Sequence, residues 1–208
     1  MSPEKAGIHM RFTSYVWPVV CASLMCSATA SAQSGQPDWS HGTTLSGFAG
    51  GSADGTQAGP AFGGTVGWEV TPRFGVDGVG TWTEFGDGAD AFSGSLRLRV
   101  RIAGHRTVDP FVQAGVGMYR AMFENTDTEM PEFYRRRVDP GSPFGATFTD
   151  PTLVTGGGVS IFLKRWFALR PEAEVTFVIR NGAHVVTNVV LHAVFHFEER
   201  PVTPAVKR

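Results

Sequence analysis

The sequence predicts an all-β fold in which eight antiparallel strands close into one up-and-down barrel, preceded by a signal peptide that is removed. Three observations predict it. Polarity alternates with a period of two through most of residues 43–197, and no segment beyond residue 33 sustains a 3.6-residue period. The 26 glycines and 12% aromatic content suit strands that pass close to one another.

The N-terminus reads as an export signal. Arg11 precedes the apolar stretch from Tyr15 to Met25, and the small residues Ala30, Ser31 and Ala32 follow as a peptidase site. The expected division is 1–32 signal peptide, 33–42 lead-in, 43–197 barrel and 198–208 periplasmic tail, with Met1 or Met10 as the translation start. The apolar stretch is too short to span a bilayer as a helix. Cys21 and Cys26 both fall within the signal, so the mature chain is expected to carry no disulfide; Met25 just before Cys26 disfavours a lipoprotein.

Eight strands are expected, at about Thr43 to Gly51, Ala61 to Val70, Phe74 to Phe85, Ala91 to Ile102, Pro110 to Phe123, Thr152 to Phe162, Phe167 to Arg180 and Ala183 to Phe197. The seventh is the clearest, with Phe167, Leu169, Pro171, Ala173, Val175, Phe177 and Ile179 opposing Arg170, Glu172, Glu174 and Thr176. The fourth sets Phe92, Leu96, Leu98, Val100 and Ile102 against Ser93, Ser95, Arg97, Arg99 and Arg101. In the second, Phe62, Val66, Trp68 and Val70 oppose Thr65 and Glu69; in the eighth, Val185, Val189, Leu191, Ala193, Phe195 and Phe197 oppose Asn188, His192 and His196. The first strand is nearly featureless.

Alternation leaves open which face is inside. A soluble lipocalin-like barrel binding a hydrophobic ligand would turn the apolar face inward; a transmembrane barrel turns it outward. Three features favour the transmembrane arrangement. The short connections Thr71-Pro72-Arg73 and Leu163 to Trp166 contrast with the long polar loop from Glu124 to Pro151, although Asn181-Gly182 makes a two-residue turn where a long loop would be expected. Trp68, Phe74, Phe167, Phe195 and Phe197 gather near strand ends, as an interfacial girdle would require. The strands hold no lysine, and their polar faces carry Arg97, Arg99, Arg101 and Arg170 with Glu69, Asp77, Glu172 and Glu174, four charges of each sign. Arginine suits confined, bidentate pairing, and a narrow lumen needs its charges matched.

Several function classes are disfavoured. A net charge of -1 argues against nucleic acid as a partner. Glu172 and Glu174 stand about 7 Å apart by strand rise, a separation compatible with glycosidase carboxylates, but facing arginines make ion pairing the stronger reading. His192 and His196, about 13 Å apart on a strand, are too distant to share a metal. The glycine clusters at 50–51, 63–64 and 156–158 lack the lysine of a phosphate loop. No Ser/His pair is expected at matching strand positions, and His184 is the only candidate base. No enzymatic activity, cofactor or metal is therefore expected.

The stretches Gly67-Trp68-Glu69-Val70-Thr71-Pro72-Arg73-Phe74-Gly75-Val76-Asp77, Asp109-Pro110-Phe111-Val112-Gln113-Ala114-Gly115-Val116-Gly117, and Gly156-Gly157-Gly158-Val159-Ser160 through Leu169-Arg170-Pro171-Glu172-Ala173-Glu174 resemble the small outer-membrane barrels of Gram-negative bacteria, of the OmpX and OmpA type. The resemblance covers nearly the whole mature chain. It implies an eight-stranded, porin-like barrel in the outer membrane, in contact with outer-membrane lipid and delivered by the barrel-assembly machinery. Family members typically end on an aromatic residue, whereas Phe197 is followed here by Glu198 to Arg208; a peptidoglycan-binding domain is not expected. An eight-stranded interior is filled by side chains, so the Arg and Glu rows should form a plug and the barrel should act as a structural or surface-interaction protein of the envelope. Arg135, Arg136 and Arg137, in the long loop, are the candidate contact for lipopolysaccharide phosphates.

Overall fold

The computed structural model describes residues 42–55, 57–86, 88–103, 107–124, 130–138, 145–164, 166–180 and 183–198. The expected signal peptide, lead-in and tail, and the Asn181-Gly182 turn, lie outside the described residues.

The strands are β1 (Gly42–Ala53), β2 (Ala58–Glu69), β3 (Phe74–Gly86), β4 (Ala89–Arg101), β5 (Val108–Phe123), β6 (Ala146–Lys164), β7 (Phe167–Ile179) and β8 (Ala183–Glu198), with one short helix, α1 (Glu132–Arg135), between β5 and β6. Each strand pairs antiparallel with its neighbour, and β1 pairs with β8 to close the barrel. Closure satisfies the backbone groups that an open edge would leave unpaired in lipid. No helix among the described residues is long and apolar enough to cross a membrane; the strands are the elements of that length.

The side-chain period puts each strand's two faces in different surroundings. Many inward positions are buried and polar, among them Thr44, Thr65, Asp77, Arg97, Arg99, Gln113, Glu172, Asn188 and His192. Many outward positions are large and apolar: Val66 is 60% exposed, Leu98 50%, Val116 59% and Val189 62%. A soluble chain rarely exposes a continuous surface of this kind, and a bilayer covers it. The orientation is the one the arginine rows imply, and it runs against the lipocalin-like alternative.

Three expectations are corrected. β6 begins at Ala146, so the loop expected from Glu124 to Pro151 ends earlier; Phe148 and Asp150 turn inward while Thr147 and Thr149 are exposed, a strand pattern that Asp150-Pro151 hid in the sequence. The same strand ends at Lys164, so one strand does carry a lysine, at its turn-end terminus. Connection lengths alternate less than expected, because the β1–β2 and β3–β4 turns hold only four and two residues. Gly55 (φ 88°) and Gly88 (φ 75°) supply the left-handed backbone those turns need. Only the β5–β6 connection is long.

Candidate functional site: the barrel interior

The register sets charged inward residues of neighbouring strands beside one another. β4 pairs with β3, setting Arg97 opposite Asp77 and Arg99 opposite Gly75, where a Cβ would stand 3.1 Å from the Arg99 guanidinium. β7 lies across the lumen and supplies Arg170, Glu172 and Glu174 at successive inward positions.

Glu172 is the hub. Its Oε1 accepts from Arg97 Nη1 at 3.1 Å and from the Gln113 side-chain amide, while Arg170 Nε and His192 Nε2 face Oε2 at 3.5 and 3.4 Å. Arg97 Nη1 also donates to Glu174, whose other oxygen accepts from Asn188 Nδ2 at 2.7 Å. Arg99 faces Asp77 at 3.3 Å and Glu69 at 3.8 Å without directed hydrogen-bond geometry, so these contacts are Coulombic. Arg101 donates to Glu69 and stands 3.6 Å from Asp109. All eight residues expected in the lumen are buried, none more than 6% exposed. Phe111 lies under two of the guanidiniums, with the Arg170 and Arg99 carbons 5.5 and 6.0 Å from its ring centre.

Sequence reasoning missed four members. Asp109, fully buried beside Arg101, was hidden because it precedes Pro110 at the expected strand boundary. Gln113 and Asn188 supply neutral donors to the carboxylates. The fourth is a correction: Ser46 Oγ and His192 Nδ1 are 3.2 Å apart, although no Ser/His pair was expected. Closure of β8 on β1 sets Gly47 opposite Ala193 and so makes neighbours of residues distant in sequence. Nη2 of Arg170 also lies 3.3 Å from His192 Nδ1; a guanidinium only donates, so Nδ1 is the acceptor of that contact, while Nε2 stands 3.4 Å from Glu172 Oε2 without hydrogen-bond geometry. The hydroxyl, imidazole and carboxylate thus follow the order of a hydrolase relay. Here they are sealed: Ser46 is 5% and His192 1% exposed, and the Phe48 ring centre lies 4.5 Å from the imidazole. The space between Phe48, Val79, Arg97, Glu172 and Asn188 has no room for a water molecule, still less for a substrate carbonyl.

The interior is not ionic throughout, as the Arg and Glu rows alone would suggest. Toward the loop end it becomes an apolar cluster of Ala89, Ala91, Tyr119, Ala121, Phe123, Val178 and Val186, into which the β5–β6 connection inserts Met130 and Tyr134. Tyr134 is 2% exposed, stacked on Phe148 at 5.2 Å between ring centres and edge-on to His184 at 5.5 Å. Burial pushes its phenol well above the ordinary range, with the charge of Asp150 adding to the effect. Alanines on β4 and β5 leave the space its ring fills.

The three loop arginines have different surroundings. Arg137 donates to both oxygens of the buried Asp150, at 2.5 and 3.1 Å, and lies over Phe148 with 4.4 Å from its guanidinium carbon to the ring centre. Arg180 reaches the same carboxylate at 3.1 Å. Arg135 and Arg136 are exposed and flank Glu132 at 3.7 and 2.9 Å. The Arg136 hydrogen bond holds the Glu132 carboxyl below its ordinary range.

At the turn end, Trp166 stacks on Phe195 with ring centres 6.0 Å apart and lies 5.8 Å from Phe167, while Trp68, Phe74 and Phe197 are exposed. This is the placement an aromatic girdle has at a membrane interface.

Known proteins share the fold. The N-terminal β-barrel domain of Pseudomonas aeruginosa OprF is 14% identical, with 75% of this chain and 97% of that chain covered at a TM-score of 0.53. Neisserial surface protein A is 11% identical, with 76% and 97% covered at a TM-score of 0.56. No curated protein matches the sequence. The model of one family, described as the outer membrane protein beta-barrel domain, matches residues 19–197. A closed eight-stranded barrel with its apolar side chains outward, and a family match over most of the sequence, lead to one assignment: the chain belongs to the outer membrane protein beta-barrel domain family and is an outer-membrane barrel of a Gram-negative bacterium.

Proposed function

We propose that the chain is a non-conducting, non-enzymatic anchor of the cell envelope, whose barrel holds a loop surface at the cell exterior for structural or adhesive contacts. The observation that carries this reading is the doubly filled lumen. Arg97, Arg99, Arg101 and Arg170 are held among Glu69, Asp77, Asp109, Glu172 and Glu174, and above them Met130 and Tyr134 fill the loop-end mouth. An ion entering would have to break buried pairs, each costing several kcal/mol to leave uncompensated. The Ser46, His192 and Glu172 relay has no route to substrate. Neisserial surface protein A, which shares the fold, is by its name a surface protein, and that supports a surface role here. The barrel-assembly machinery is the partner that inserts such a chain, and the exposed Arg135 and Arg136 are offered as a lipopolysaccharide contact.

The test combines fractionation with conductance. The protein should sediment with outer membranes, resist urea washing and shift its gel mobility on boiling, and planar bilayers containing it should show no unitary currents. Recovery in a detergent-free periplasmic extract, or steady single-channel conductance, would overturn the proposal.

A further inference from the structure

The outward faces of three adjacent strands change character at the loop end. On β3 the apolar outward run from Phe74 to Trp82 gives way to Glu84; on β4 the run from Val100 to Phe92 gives way to Asp90; on β5 the run from Pro110 to Met118 gives way to Arg120. Each run matches the ~9–11 residues with which a tilted strand crosses a bilayer. The residue beyond it therefore lies at the level of the headgroups, in the leaflet on the loop side.

Arg120 is exposed there, with Phe92 directly opposite on β4 and Thr149 directly opposite on β6. The other loop-end arginines face carboxylates: Arg135 and Arg136 flank Glu132, and Arg137 and Arg180 share Asp150. Arg73 and Lys164 stand at the opposite end of the barrel. Among the described residues, Arg120 is thus the loop-end arginine with no carboxylate within 4.0 Å. Asp90 is only its diagonal neighbour, because Asp90 pairs with Met122.

We propose that Arg120 is a docking point for the phosphate of a lipid in the loop-side leaflet. The planar guanidinium can present two parallel N–H donors to phosphate oxygens, and the exposed Thr149 hydroxyl on the neighbouring strand is a second donor on the side away from Asp90. Met118 and Phe92 keep the surface beside and below it apolar, so acyl chains attached to that phosphate continue onto barrel rather than into water. A phosphate carried on a lipid meets both features at once; a free phosphate meets only the first.

The proposal rests on the membrane-anchored reading, and its test separates the two. The full chain is inserted into phosphatidylcholine nanodiscs containing bisphosphorylated lipid A or the same lipid without phosphates, and retained lipid is counted by native mass spectrometry. The wild type should retain the phosphorylated lipid preferentially. Arg120→Gln should weaken retention roughly tenfold, with Arg120→Lys and Thr149→Val intermediate. Millimolar inorganic phosphate should not displace the lipid. Equal retention of the two lipids, an unchanged Arg120→Gln variant, or displacement by inorganic phosphate would overturn the docking point while the boiling-dependent gel shift still supported the barrel. Loss of that shift in the wild type would overturn both.

Discussion

Replacing Arg97 by methionine removes the cation shared by Glu172 and Glu174 while keeping an unbranched side chain in the lumen. Glu172 would retain Gln113, Arg170 at 3.5 Å and His192 at 3.4 Å. Glu174 would keep only the Asn188 amide at 2.7 Å, in a site where it is 4% exposed. Breaking a buried pair by deleting one partner costs about 3–5 kcal/mol, because the remaining charge stays desolvated. That corresponds to a loss of roughly a hundred- to several-thousandfold in the folded-to-unfolded ratio. Equilibrium unfolding in urea, in detergent micelles, followed by tryptophan emission and by mobility of unboiled samples, reads this directly. Arg97→Met/Glu174→Gln should recover about 1.5–3 kcal/mol by removing the orphaned charge. A loss under about 1 kcal/mol, the range of a solvent-exposed pair, would refute the reasoning. So would a double variant no more stable than the single one.

Other consequences follow from packing and orientation. A Cβ at Gly115 would stand 2.2 Å from the Leu96 carbonyl oxygen, whereas one at Gly94 would meet nothing within 4 Å; Gly115→Ala should cost about 1–3 kcal/mol and Gly94→Ala should stay within about 0.5 kcal/mol, measured by the same titration. Tyr134→Ala empties the loop-end cluster, so limited proteolysis should cut the β5–β6 connection faster while the boiling-dependent mobility shift persists. Leu98→Arg puts a cation on the lipid-facing surface and should destabilise the barrel by about 2–4 kcal/mol in vesicles, an effect absent if that surface met water.

Most of the fold was legible because alternation is a local signal. The fourth and seventh strands announced themselves through Arg97, Arg99 and Arg101 and through Glu172 and Glu174, each opposed by apolar neighbours, and their ends agree with the structure to within a few residues. The start of β6 was illegible because Asp150-Pro151 reads as a turn, and only its ladder with β5 and the arginines gathered on Asp150 show it to be strand. The same limit explains the site. The charged rows could be read residue by residue, but the proximity of Ser46 to His192 depends on closure between β1 and β8, and the burial of Tyr134 depends on a loop folding back over alanines on other strands. Neither leaves a trace in sequence spacing. The arginine triplet at 135–137 looked uniform, yet the inward turn of Asp150 takes Arg137 alone.

The most direct measurement of the inside-out arrangement is spin-label accessibility in vesicles, with single cysteines placed in turn at Leu98, Val189 and Leu191 and at Arg99 and Glu174. The three outward positions should collide readily with dissolved oxygen and hardly at all with a water-soluble nickel complex, while the two lumen positions should be shielded from both reagents. Labels at Leu98 and Leu191 that are shielded from oxygen, together with labels at Arg99 and Glu174 that collide freely with the nickel complex, would contradict it.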